Sequence, residues 1–226
     1  MTPVLSYISV PSRLVALVFA LMLSVPALSA AEATVSRSAP VKNVLSGNTA
    51  KEPAATIGWK NDSVANQWLG STFNVSKTLT LDKISFAYAV AGNKAAEATV
   101  TVQLIQLDLG GSFVERISQG KVLRTDKFTL PFTLPESGWI TFDITDTVLP
   151  ASPVAYAYIL SFDEQEGGRF FALVRGNGEA KGAIIIGEGN AVFRSEVGEG
   201  GYAALGNARD GTAAFPQVVF AGAVTK

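Results

Sequence analysis

Apolar and polar residues alternate through Ser71, Thr72, Phe73, Asn74 and Val75, and again through Leu79, Thr80 and Leu81. The alternation returns at Ile84, Ser85, Phe86, Ala87 and Tyr88. A period of two is the signature of a strand with one dry and one wet face. The apolar set sits on odd numbers up to Leu81 and on even numbers from Ile84. A one-residue slip would turn every side chain to the wrong face, so a turn or bulge is expected at Asp82-Lys83. The stretch 68–88 then reads as one inner layer of a sandwich, bending as it goes.

The same pattern recurs down the chain. In 98–109, Val100, Val102 and Leu104 share one parity, while Ile105, Leu107 and Leu109 take the other, which predicts a second bulge near Leu104-Ile105. Residues 113–118 fit either a short helical turn or a strand, and 122–130 fit a strand. In 138–145, Ile140, Phe142 and Ile144 point one way and Thr141, Asp143 and Thr145 the other. In 154–162, Val154, Tyr156, Tyr158, Leu160 and Phe162 are in register. Residues 169–174 are apolar on both sides, as in a central strand. Residues 213–224 close the chain, with Pro216 marking an edge or bulge. Roughly nine short strands and no amphipathic helix of ordinary length predict an all-β antiparallel β-sandwich, a jelly roll.

Ahead of these strands, residues 1–31 read as a secretory signal peptide. Arg13 is their one charge, 14–25 form an apolar run, Pro26 breaks it, and small residues occupy 27–31. Cleavage fits after Ser29, Ala31 or Ala33, with Ala31 preferred; a retained N-terminal anchor is the other reading. Residues 32–53 are expected to be a flexible lead-in with one edge strand at 41–45. The sandwich domain is placed at 54–226. On this reading the protein is secreted or periplasmic and has no stable membrane span once the signal is removed.

Composition narrows the chemistry. The 226-residue chain carries a formal net charge of −1, with 18 basic and 19 acidic residues and no basic stripe, so no nucleic-acid partner is expected. About 195 residues after export suffice for one all-β domain with a sizeable core. The chain has no His and no Cys. Ser-His-Asp triads, thiolate nucleophiles and zinc sites built on these residues are therefore excluded. Paired carboxylates are the remaining acid–base machinery, and they need two acids about 5–10 Å apart in a cleft.

The cluster Asp163, Glu164 and Glu166 crowds oxygen ligands on one turn, which suits a structural calcium or simply a solvated turn. No other cofactor is implied. Trp59, Trp68 and Trp139 are the only tryptophans. An exposed indole is a platform for the C–H faces of sugars, whereas a buried one caps the core rim. Trp139 is out of phase with Ile140, Phe142 and Ile144, which turns it towards solvent. Trp59 adjoins a polar loop with Asn61, Asp62, Asn66 and Gln67, partners suited to hydroxyl groups. The ligand-binding set read from the sequence is therefore Trp59, Asn61, Asp62, Asn66, Gln67 and Trp139.

Several pieces, in order, resemble the jelly-roll domains of exported bacterial proteins, of the carbohydrate-binding-module-like or galactose-binding-like kind. They are Gln67-Trp68-Leu69-Gly70-Ser71-Thr72-Phe73, Leu79 to Phe86, Val100-Thr101-Val102-Gln103-Leu104, Gly138-Trp139-Ile140-Thr141-Phe142-Asp143, and Ala155 to Ser161. The resemblance covers about residues 66–175 and implies a non-catalytic domain. The expected function is binding of carbohydrate or cell-envelope polymer. The alternative is a structural or assembly component of the cell surface or extracellular matrix, which would expose an edge strand or apolar patch.

Overall fold

A computed structural model describes residues 30–47, 56–61, 67–91, 98–107, 110, 113–131, 133–151, 153, 155–163, 169–176, 182–185, 191–196, 203–207 and 215–225. The strands begin with β1 (Ala31–Glu32), β2 (Thr34–Ser36), β3 (Val44–Gly47), β4 (Thr56–Asn61), β5 (Gln67–Val75), β6 (Leu79–Ala91) and β7 (Thr99–Gln106). One short helix, α1 (Phe113–Ser118), follows. After it come β8 (Lys121–Thr129), β9 (Gly138–Leu149), β10 (Ala155–Phe162), β11 (Arg169–Gly176) and β12 (Ile184–Ile185). The last are β13 (Ala191–Glu196), β14 (Ala203–Asn207), β15 (Phe215–Pro216) and β16 (Val218–Val224).

These strands form two packed sheets, so the chain is an all-β sandwich. The first sheet runs β1-β8-β7-β10-β5-β13-β14, with β12 also on β5. The second is built on β6, which holds β9 on one edge and β16 and β11 on the other. There β2 extends β9, β3 extends β16, and β4 and β15 extend β11. Every pairing among the described residues is antiparallel except the two-residue pairing of β1 with β8. β11 is central, as its two-sided apolar pattern predicts.

The 68–88 stretch does not stay in one layer. β5 belongs to the first sheet and β6 to the second, and 76–78 carry the chain across. The crossing is pinned by the Ser76 N–H, which donates to the Ala183 carbonyl at 2.9 Å, and the Ser76 hydroxyl, which donates to that of Gly182 at 2.8 Å. The bulge expected at Asp82 is present. Against β16, Leu81 pairs with Gly222 and Lys83 with Ala221, so Asp82 is the extra residue. It restores the parity, and Leu79, Leu81, Ile84, Phe86 and Tyr88 all face the main core. Gly222 permits the close approach. Its φ is 157°, and a Cβ there would sit 2.0 Å from the Thr80 carbonyl oxygen.

A run of aromatic rings fills the space between the sheets. Phe128 meets Phe142 at 5.2 Å, Phe142 meets Phe86 at 6.3 Å, and Phe86 meets Tyr158 at 5.3 Å. Tyr158 meets Phe220 at 6.1 Å, Phe220 meets Phe73 at 5.1 Å, and Phe73 meets Tyr156 at 5.8 Å. The tilted geometries suit the ring quadrupoles. Burial pushes the phenols of Tyr88, Tyr156 and Tyr158 above their ordinary range.

The expected flexible lead-in needs correction. Residues 31–36 strap one side of the sandwich: β1 pairs with β8 in the first sheet, and β2 pairs with β9 in the second. Between them Ala33 is buried in the main core, and its N–H donates to the Thr129 carbonyl at 2.9 Å. β3 lies at 44–47 rather than 41–45. Among the described residues, 31–36 and 44–47 thus already pair into the two sheets. Strands of two or three residues are too short to show a period, which is why the strap escapes a pattern-based reading.

Both outer faces carry apolar clusters of their own. On the first sheet, Ile105, Leu107, Ala157 and Ile159 meet Ile117 of α1. The parity change at Leu104-Ile105 thus records burial on both faces of β7. A register shift does occur there, but the extra residue is Leu123 of β8. On the second sheet, Ala87, Trp139 and Val219 form a cluster with Ala39 and Ala89 against it.

Candidate functional site: the outer face of the first sheet

α1 packs on Ile105, Leu107, Ala157 and Ile159 at the first sheet's outer face. The register defines the rows of that face. Lys127 pairs with Thr101, Thr101 with Ser161, and Ser161 lies beside Trp68, which precedes Leu69, the partner of Leu160. In the next row Thr125 pairs with Gln103, Gln103 with Ile159, and Ile159 with Gly70. Cross-strand partners share a face, so one indole and a band of hydroxyl, amide and ammonium groups share this surface. The first row crosses four strands, about 14 Å at the usual interstrand spacing.

Trp68 packs against the Ile105–Ile159 cluster and is half-buried. Its strand turns Leu69, Phe73 and Val75 into the main core, so the intervening parity carries Trp68 outwards. The polar groups around it are held in place. Gln103 Nε2 donates to Thr125 Oγ1 at 3.4 Å. Asp163 accepts a bond from the Thr101 hydroxyl and an ion pair from Lys127 Nζ at 2.6 Å. The Asp163 N–H donates to the Thr99 carbonyl at 2.9 Å. Hydroxyl, amide and charged groups fixed beside an aromatic surface are the equipment for recognising a polyhydroxylated ligand.

A second feature lies at the strap side, where β8 of the first sheet meets β9 of the second. A cleft of about 410 Å³ is lined there by Arg124, Asp126, Asp143 and Thr145, with Ala30 and Ala31 at one end. Arg124 Nε donates to Asp126 Oδ1 at 2.9 Å, and Arg124 also donates to Thr145 Oγ1 at 2.5 Å. Asp126 Oδ2 accepts from the Thr145 N–H at 2.9 Å. Asp143 is paired with Lys83 Nζ at 2.5 Å. Both carboxylates in this cleft are thus already engaged with protein donors.

The residues singled out from sequence divide as follows. Trp139 is on the outer parity, as expected, but does not offer a face to solvent: it is 8% exposed. Ser36 pairs beside it and Ala39 packs on its cluster, so the strap closes over the indole. Trp59 and Asn61 lie in β4 of the second sheet, and Gln67 opens β5 of the first. Asp62 and Asn66 fall outside the described residues. Of the acidic turn, Asp163 is tied to Thr101 and Lys127, and Glu164 and Glu166 fall outside the described residues. Among the described residues no group of three acidic side chains is gathered as for a metal ion. No described helix is long and apolar enough to cross a membrane, and all of the proposed signal except Ala30 and Ala31 lies outside the described residues. Trp68 is not in the ligand-binding set read from the sequence, although the parity argument applied to Trp139 marks it equally.

Comparison of the chain with family models, curated proteins and solved structures finds no match to any of them.

Proposed function

We propose that this protein is an exported, non-catalytic binding module for carbohydrate or cell-envelope polymer, and that its ligand lies along the first sheet's outer face beside Trp68. The observation that carries this reading is the half-buried Trp68 beside the rows that hold Ser161 and Gln103 and the exposed Thr125 and Lys127. An indole held from beneath by apolar packing loses little freedom when a sugar ring stacks on it. The neighbouring side chains supply both donors and acceptors for hydroxyl groups.

The test is affinity electrophoresis of the folded protein in gels containing soluble glycans and envelope polysaccharides. Retardation by at least one polymer is expected, with a loss of tenfold or more in affinity for Trp68→Ala and a smaller loss for Gln103→Ala. Mobility unaffected by every polymer, or retardation that survives Trp68→Ala, would overturn the reading.

A further inference from the structure

We infer that the outer edge of β8 is a seam for a second copy of this chain, joined by antiparallel strand addition about a two-fold axis at Thr125. Beyond the two residues covered by β1, no described strand pairs with this edge over residues 121–127. The Leu130 N–H points back to the Ala98 carbonyl, whereas the Thr129 carbonyl points out to the Ala33 N–H. The register against β7 is unbroken from Thr129 to Arg124. Backbone direction alternates along a strand, so Lys127 and Thr125 also direct their N–H and C=O groups outwards. β1 occupies the next outward-facing position, so the edge already accepts a strand.

What selects a copy of the same chain is the charge order. Arg124 and Asp126 flank Thr125 symmetrically. In an antiparallel pairing centred on Thr125, the two Thr125 residues exchange both backbone bonds. Arg124 then stands opposite the partner's Asp126, and Asp126 opposite the partner's Arg124. These are non-hydrogen-bonded positions, where Cα atoms approach to about 4.5 Å and side chains interact most closely. Charges on an edge strand usually keep other strands away; this order makes them self-complementary, as an isologous contact requires. The Arg124–Asp126–Thr145 bonds hold both groups in place beforehand, and the cleft beside them gives the incoming strand room.

The seam is short, so the dimer should be weak and concentration-dependent. It would align two outer faces into one surface suited to a long polymer. It does not depend on the saccharide reading, and its test contains no glycan, so either can fail alone.

Sedimentation velocity over a concentration series should show the protein passing from monomer to dimer. Thr125→Pro removes an outward N–H at an edge position where proline is tolerated, and Thr125→Lys places two ammonium groups face to face. Each should weaken the dimer at least tenfold with little change in melting temperature. The chain has no cysteine, so Thr125→Cys introduces a sole thiol, and its expected Cα separation of about 5.5 Å across the axis lies within disulfide range. Under mild oxidation it should cross-link at least tenfold faster than Lys77→Cys on an exposed turn. A protein monomeric up to about 1 mM, a dimer indifferent to Thr125→Pro, or equal cross-linking rates at the two cysteines would each overturn the proposal.

Discussion

Trp68 and Trp139 begin with the same signal in the sequence and end in different surroundings. Each precedes a run of core residues, Leu69, Phe73 and Val75 in one case and Ile140, Phe142 and Ile144 in the other, and each takes the parity that points away from the core. On the second sheet the strap and Ala39 close over Trp139. On the first sheet α1 reaches only the Ile105, Leu107, Ala157 and Ile159 end, and Trp68 at its border stays half-buried. Parity decides which side of a sheet a residue takes. Whether that side is wet depends on a covering segment distant in sequence: 34–39 covers Trp139 on β9, and α1 lies between the strands it covers.

The comparison is broken most severely at the strap. Ala33 has 2% of its surface exposed, so Ala33→Asp would bury a carboxylate among Leu, Val and Phe side chains. A cost of about 4 kcal/mol is expected, read as a lowered urea midpoint. If the strap is what shields Trp139, its fluorescence should also become more accessible to acrylamide in this variant while Trp68 is unchanged. The next effect is that of Trp139→Ala, which removes a buried indole and should cost about 3 kcal/mol, or roughly 6–12 °C in melting temperature for a chain of this size. A loss under about 1 kcal/mol would mean that the cover over Trp139 contributes little.

Beneath both faces lies the shared interior, with Tyr156 and Tyr158 on the first sheet and Tyr88 on the second. Each phenol is raised above its unfolded value near 10 by burial, with Ser71 partly offsetting this at Tyr158. Above pH 10 the unfolded chain gives up phenolic protons that the folded chain retains. Stability is therefore intact below pH 10 and falls as pH rises through the window between the unfolded and folded values. The slope is about 1.4 kcal/mol per pH unit for each tyrosine that stays neutral in the fold. Urea midpoints at pH 9, 10 and 11 measure it, and Tyr158→Phe should flatten the slope. An unchanged slope in that variant would remove Tyr158 from this account.

How much of this was legible follows from what leaves a period in a sequence. The β6 parity switch at Asp82 was readable because five core residues flank it. The switch at Leu104-Ile105 was readable as an irregularity, but its main cause is a helix covering the far side of β7, which no local pattern encodes. β1 and β2 were invisible, being two and three residues long. The passage of the chain between sheets at Ser76 depends on Gly182 and Ala183, over a hundred residues away. For the site, the outward parity of Trp68 was available from Leu69, Phe73 and Val75. The polar rows beside it come from β7, β8 and β10, and only register brings them together.

The smallest stability effect is the most discriminating. Trp68 is half-buried, so Trp68→Ala should cost about 2 kcal/mol, less than the expected cost of Trp139→Ala. On the proposed reading it nevertheless abolishes polysaccharide retention, because the indole supplies the stacking surface. Ile117→Ala separates support from contact. Ile117 belongs to the cluster that carries Trp68 but lies on the buried side of α1 itself, so its loss should cost about 3 kcal/mol and weaken retention only modestly. If the two variants reduce retention in proportion to their stability losses, the outer face of the first sheet is a packed surface like that around Trp139. If Trp68→Ala removes retention while remaining the more stable of the two, the indole acts through the ligand.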